Sequence, residues 1–169
     1  EKAAIARDRI KALTQIQTSQ KINQTNLKEA DVISIYKETG KTCIQVFFFR
    51  SKQNWGNQAF YPKHDPEDKV EDILSSFLSQ FYENKTIPSL ILTNIKVNEI
   101  KLLEKTFSTK ENKQIIIKLA KAKNEINISR LAEKNAKQAL KQKLIQSDTN
   151  NNLVEALALK FKLNNNIDL

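Results

Sequence analysis

The chain has 169 residues with a formal net charge of +9, 40% hydrophobic residues, two glycines, three prolines and one cysteine. That length suits one domain with short appendages, since single domains usually run about 100–150 residues. So few glycines and prolines exclude a collagen-like or loop-dominated chain, and no apolar run approaches the roughly 18–20 residues of a membrane span. Glu1 to Leu13 is charged and amphipathic with no apolar h-region, so no signal peptide is expected. The first residue is not Met, and the chain reads as a piece of a longer protein. A lone Cys43 in an apolar run reads as a small buried hydrophobe, and it points to a reducing, cytoplasmic compartment.

Residues 1–20 read as a helix, with Ala3, Ala4, Ile5, Ile10 and Leu13 near helical spacing, and SQKINQTN (19–26) as a linker. ADVISIYKETGKTCIQVFFFR (30–50) then reads as two strands around a turn at Glu38-Thr39-Gly40. In the second strand Ile44, Val46 and Phe48 alternate with Gln45, Phe47 and Phe49, which predicts cover on both faces. A third strand, NQAFYPK (57–63), follows the turn SKQNWG and completes an antiparallel meander.

HDPEDKVEDILSSFLSQFYE (64–83) is the clearest helix. Asp65 is the expected cap, Pro66 suits the first helical position, and Glu67 and Asp68 suit the positive end of the dipole. Val70, Ile73, Leu74, Phe77, Leu78 and Phe81 fall on one buried face. IPSLILTNI is a buried strand. Asn98 is the expected cap of a short helix through Leu102, Leu103 and Phe107, and KQIIIKLA is another strand. Ile126 to Gln146 reads as a basic helix with a narrow stripe of Leu131, Ala132, Ala136, Ala139 and Leu140. Asp148 to Asn152 is a polar break before a last short helix, Leu153 to Phe161.

The order after the first helix, β-β-β-α-β-α-β-α, predicts an α/β layered domain with a mixed sheet over residues 30–147. Residues 21–29 form its linker and 148–169 a connector. The same succession matches the ribonuclease H-like fold, by topology alone. The charge is uneven. Lys101 to Lys143 holds twelve Lys or Arg against four Glu. Such a surface attracts polyanions, of which nucleic acid is the usual one. Lys118, Lys121, Lys123, Arg130, Lys134, Lys137 and Lys141 are the candidate phosphate contacts, expected to meet duplex DNA without regard to sequence. The competing reading is an interaction module whose basic surface meets an acidic protein.

Three strings go beyond topology. EKAAIARDRIKAL resembles the second helix of the UVR motif, through Ala3, Ala4, Arg7, Asp8, Ile10 and Leu13. IQVFFFR, a Gly turn, an aromatic strand, EDILSSFLSQFY and IPSLIL are similar to the middle of the UvrC family, the nuclease subunits of bacterial UvrABC excision repair. LAEKNAKQAL is similar to a string the family carries in the same place. The resemblance implies a GIY-YIG nuclease and a cysteine cluster before Glu1. It also implies a nuclease domain and helix-hairpin-helix motifs after Leu169. It implies a UvrB-like partner for the UVR residues, DNA as a second partner, and no membrane. On this resemblance the chain is expected to start at the second helix of the UVR hairpin, without the first.

A ribonuclease H-type site needs carboxylates that hold two divalent metals about 3.5–4 Å apart. One acid normally lies in the first strand, one on the first helix and one at the end of the fourth strand. VISIY contains no acid, with Asp31 at its edge; Glu71 and Asp72 on the first helix suit an exposed face; the fourth strand ends in Asn94. The expectation is therefore a ribonuclease H-like domain with no metal site, no cofactor and no catalysis of its own. His64, the one histidine, reads as a polar turn residue. Trp55 and Tyr61, near Arg50 and Lys52, have the chemistry to stack bases, but the first expectation is that they pack the edge of the meander.

Overall fold

Strict alternation along the first two strands decides the layers. In a strand, successive side chains point to opposite faces, so a run that is apolar at every position must be covered on both. The protein, in a computed structural model, is described over residues 27–161, with side chains to residue 147. The expected amino-terminal helix and most of its linker lie outside the described residues, as do Ala3, Ala4, Arg7, Asp8, Ile10 and Leu13.

Strands β1 (Glu29–Glu38), β2 (Lys41–Arg50) and β3 (Gln53–Phe60) form the meander. β4 (Leu90–Thr93) and β5 (Ile116–Leu119) add to the other side of β1. The sheet order is β3-β2-β1-β4-β5, with the meander antiparallel and β1-β4 and β4-β5 parallel. This is the mixed five-stranded sheet of the ribonuclease H-like class. Helix α1 (Val70–Phe81) and helix α2 (Ile100–Glu111) cover one face, and α3 (Lys123–Phe161) lies on the other.

Ile33 and Ile35 of β1 and Ile44 and Val46 of β2 join Ile73, Leu74, Phe77, Leu78 and Phe81 of α1 in the larger core. Each such side chain contributes roughly 1.5–3 kcal/mol by leaving water. The alternate residues, Ala30, Val32, Phe47 and Phe49, pack with Leu92 against Ile128 and Ala132 of α3. Further along, Ala136 and Leu140 meet Cys43, with Tyr36, Ala59 and Tyr61 beside them. Helix α3 thus crosses the sheet from β1 and β4 towards the far end of β2 and β3.

Four boundaries differ from the sequence expectation, each for a physical reason. β3 begins at Gln53, because the β2–β3 turn is only two residues. Ser51 and Lys52 both take positive φ, 51° and 65°, the backbone hand that matches strand twist in a tight hairpin. No glycine marks them, so the turn was hidden.

Helix α1 starts at Val70, and Asp65 does not cap it. Asp68 N donates to Asp65 O in a separate turn. Lys37 Nζ donates to the Pro66 and Asp68 carbonyls at 2.6 Å each, so a distant strand takes acceptors that a longer helix would use. Gly40, at φ +71° in the β1–β2 turn, lies where a Cβ would come 3.1 Å from Pro66 Cβ, so this turn and the Pro66 turn pack tightly.

Asn98 does not cap α2. Glu99 precedes the helix in left-handed conformation, and Asn98 Nδ2 instead donates to Asp72 Oδ1. Helix α3 starts at Lys123 and runs without a break to Phe161, through the expected break at 148–152. Asp, Thr and Asn are weak helix formers by up to about 0.7 kcal/mol each, but none of them lacks the N–H as proline does.

Candidate nucleic-acid interface

The three positions where a ribonuclease H-type site holds carboxylates carry structural groups instead. Asp31 is not at the strand edge; it is the third residue of β1 and 1% exposed. Its Oδ1 accepts from Arg50 Nη1 at 2.7 Å, and its Oδ2 accepts from Tyr82 Oη at 2.6 Å. Arg50 Nη1 also donates to the Phe49 and Ala30 carbonyls, which fixes the guanidinium over the strand end. Burial pushes the Asp31 carboxyl above the usual carboxylate range, and Arg50 and Tyr82 pull it only part of the way back. Burial and the Asp31 charge hold the Tyr82 phenol well above its ordinary value.

Asn94 works as a clip. Its Oδ1 accepts from Ile35 N and its Nδ2 donates to Ile35 O, both at 2.9 Å. The backbone ladder of β1 and β4 has Ile33 opposite Thr93, so this amide extends it by one step. Asp31 and Ile35 are four residues apart, about 13 Å along the strand. The Asp31 and Asn94 positions are therefore too far apart to share a metal pair. Asp72 is bound to Asn98, and among the described residues no group of three or more His, Cys, Asp or Glu could hold a metal ion.

The face beyond α3 is different in kind. Ser34 Oγ of β1 donates to Ser129 O at 2.9 Å and lies 3.2 Å from Ser129 Oγ, both residues buried. Ala132 and Ala136 are fully buried one and two turns on. Small residues let the helix axis approach the sheet, where Phe47 and Phe49 fill the space on the strand side.

The opposite side of α3 holds Arg130, Lys134, Lys137 and Lys141, all exposed. Their spacing of i, i+4, i+7 and i+11 makes one stripe, about 16 Å long at the helical rise. Lys137 Nζ stands 5.1 Å from the Tyr36 ring, and its hydrogen bond to Tyr36 raises its pKa, so it stays charged.

The other three candidate cations divide. Lys121 and Lys123 are exposed where α3 begins. Lys118 Nζ is tied to Glu125 Oε1 at 2.8 Å. Glu125 Oε2 also accepts from Lys121 N and Ala122 N, so this third helical residue reaches back as in half of a capping box. Burial alone would raise the Glu125 carboxyl, but Lys118 and the two backbone N–H groups outweigh it and hold it below the ordinary glutamate range. Lys143 leaves the stripe and lies 3.9 Å over the Tyr61 ring, while Tyr61 Oη donates to Ala139 O.

Tyr61 therefore packs the edge as expected, but Trp55 does not. The indole is 71% exposed. His64 Nδ1 meets Asp65 O at 2.8 Å within the turn. Burial pushes the Cys43 thiol up to about 11, so it is a packed, unreactive thiol at neutral pH. Sequence reasoning missed the Glu125 cap and the display of Trp55. The signals were present: Glu125 three residues after Ala122, and an isolated Gly56 inside a strand pattern. Among the described residues no helix is long and apolar enough to cross a membrane.

Comparison with known proteins adds an independent finding. The family described as "UvrC Ribonuclease H-like domain" matches residues 29–143. "UvrABC system protein C" of Bartonella quintana (strain Toulouse) is 44% identical over 163 residues, 96% of this chain and 24% of the relative. The protein of the same name from Chelativorans sp. (strain BNC1) is 42% identical over 96% of this chain and 25% of its own length. That from Caulobacter vibrioides is 38% identical over 96% of this chain and 27% of its own length. The chain spans about a quarter of each of these relatives.

Proposed function

Since the chain belongs to the UvrC family through its ribonuclease H-like domain, we propose that it is a non-catalytic central region of an excision-repair subunit. It holds duplex DNA through phosphate contacts along the outer stripe of α3. In that role it positions a nuclease carried elsewhere in the longer protein on damaged DNA bound by a UvrB-like partner, with Ala3, Ala4, Arg7, Asp8, Ile10 and Leu13 as the partner contacts. The observation that carries the reading is the arrangement of α3. Its small face is spent on the sheet, and four cations share the opposite, exposed face. The non-catalytic part is supported by Asp31, both of whose oxygens are already engaged, and by Asn94, whose amide is a strand clip.

Phosphate contact carries a distinct signature, because each neutralised phosphate releases counterions. On duplex DNA the log–log salt slope falls by about 0.9 per contact. The Gln variant at Arg130, Lys134, Lys137 and Lys141 is expected to stay folded and to shallow the slope by about 3 to 4. A control with four Lys→Gln changes at Lys41, Lys63, Lys96 and Lys105 sets the effect of net charge alone. Equal slopes in the two variants would remove α3 from the contact and leave an acidic protein as the partner of the basic face.

A further inference from the structure

The chain's one tryptophan is held out from the sheet by a dedicated backbone feature. Phe48 of β2 pairs with Gly56 and Phe49 pairs with Asn54, so Trp55 sits between them without a partner residue, on a β-bulge of the edge strand. Bulges re-aim side chains at sheet edges. Gly56 takes φ +127°, a conformation that L residues rarely adopt, although a Cβ there would meet nothing within 4 Å. The glycine is therefore required by backbone conformation and not by crowding. Asn54 Oδ1 accepts from Gly56 N at 2.9 Å and bridges the backbone on either side of Trp55. The result is a fixed base carrying an aromatic ring that is 71% exposed.

The surroundings of the ring are cationic and amide-bearing. Lys52, in the β2–β3 turn, donates its backbone N–H to Lys28 O, so the two lysines come together just before β1 and β3. Lys28, Glu29, Arg50, Ser51 and Lys52 line a cleft of about 500 Å³. Arg50 is paired with Asp31 and Glu29 with Lys113, whereas Lys28 and Lys52 have no ion-pair partner among the described residues. Trp55 follows Lys52, the last turn residue before β3, by three residues, so their Cα atoms lie within about 11 Å of each other. Its exposed neighbours on β3 are Gln53, Asn57 and Gln58, with no apolar companion.

We propose that Trp55 is a stacking platform for one unpaired nucleobase, with Lys28 and Lys52 taking the adjoining phosphates. A protein anchor of this size is normally ringed by apolar contacts that exclude water. A base needs one free aromatic face and cations along its backbone, which is what this end of the sheet offers. The site is separate from the α3 stripe and does not rest on it. Helix α3 reaches β3 at the other end, where Leu140 and Lys143 meet Tyr61. Unpaired bases and duplex would thus be held by different parts of one domain.

Because Trp55 is the only tryptophan, its emission reports the site directly. A single-stranded oligothymidylate titrated into the chain should quench that emission, and a fully paired duplex should bind without quenching it. Trp55→Leu should weaken the single strand about ten-fold and leave duplex affinity and its salt slope unchanged. The Gln variant of the α3 stripe should still be quenched fully at saturating oligothymidylate, so failure of the duplex reading would show separately. Unquenched emission at saturating single strand, or equal affinity of Trp55→Leu for it, overturns the proposal. An emission that responds only to an added protein partner overturns it too.

Discussion

The two faces of the sheet are built by opposite means. Under α1, bulk meets bulk: Phe60, Phe77, Phe81 and Tyr82 form a chain of rings with centroids 4.9–5.4 Å apart, extended to Phe107 at 5.5 Å. Under α3 the sheet supplies most of the bulk, and between Ile128 and Leu140 the helix supplies Ser129, Ala132 and Ala136. One face therefore holds the fold by filling volume. The other holds a helix close enough to the sheet that its outer surface is free for charge. Packing and binding are separated by layer, so substitutions on the two sides should fail in different ways.

The largest expected effect is on the α1 side. Phe81→Ala removes a ring that stacks on or meets Phe48, Phe60, Phe77 and Tyr82, and should cost about 4 kcal/mol in denaturant unfolding. The α3 side should object to the opposite change. Ala136→Leu, at a fully buried position, should cost about 2 kcal/mol by overpacking, while Lys134→Gln two residues away stays within about 0.5 kcal/mol. If Ala136→Leu were tolerated without loss, the close approach of α3 would not be the feature that matters.

The Asp31–Arg50 pair sharpens the comparison next. Arg50→Leu strands a buried carboxylate and should cost about 3 kcal/mol at neutral pH. That is the lower end for such a loss, since the Arg50 side chain is 26% exposed. The Asp31 carboxyl is raised in the folded protein, so its contribution is fully present below the unfolded value and is lost as pH rises through the folded one. Arg50 pulls the folded value down, so its loss raises that value further, and the Arg50→Leu defect should shrink on acidification. Asp31→Asn, which mimics the protonated form, should cost about 1 kcal/mol and rescue much of the Arg50→Leu loss in the double variant. A defect that stays the same at every pH would mean that Arg50 has no hold on this carboxyl.

The smallest effect lies at the start of α3. Glu125 is shifted the other way, so its stabilisation is present above the ordinary glutamate range and is lost as pH falls through the depressed folded value. Glu125→Gln should cost about 1 kcal/mol at neutral pH and nothing once the parent carboxyl is protonated. Urea melts of both forms across the acid range would read the difference.

How much of this was legible depends on whether the cause was local. The alternation of β1 and β2 and the buried face of α1 were plain in the sequence, because periodicity reports burial directly. The start of α1 was not, because Lys37, some thirty residues away, takes the Pro66 and Asp68 carbonyls just before it. The β2–β3 turn was misplaced because Ser51 and Lys52 adopt positive φ without glycine or asparagine. In the candidate interface the cations of α3 were visible as a pattern. Their sorting into an outer stripe, an ion-paired Lys118 and a packed Lys143 depended on Glu125, whose capping signal lies in the local sequence, and on Tyr61, which only the fold brings near. Asp31 was read at the edge because its burial comes from Tyr82 and Arg50.

The most direct test of the separation is to map backbone amide shifts by NMR while a duplex of arbitrary sequence is added at low salt. Shifts clustered at Lys121, Lys123, Arg130, Lys134, Lys137 and Lys141, fading as salt rises, with α1 and α2 silent, are the predicted result. Shifts centred on α1 or α2, or spread evenly over every exposed lysine, would contradict the assignment of α3 as the face that meets DNA.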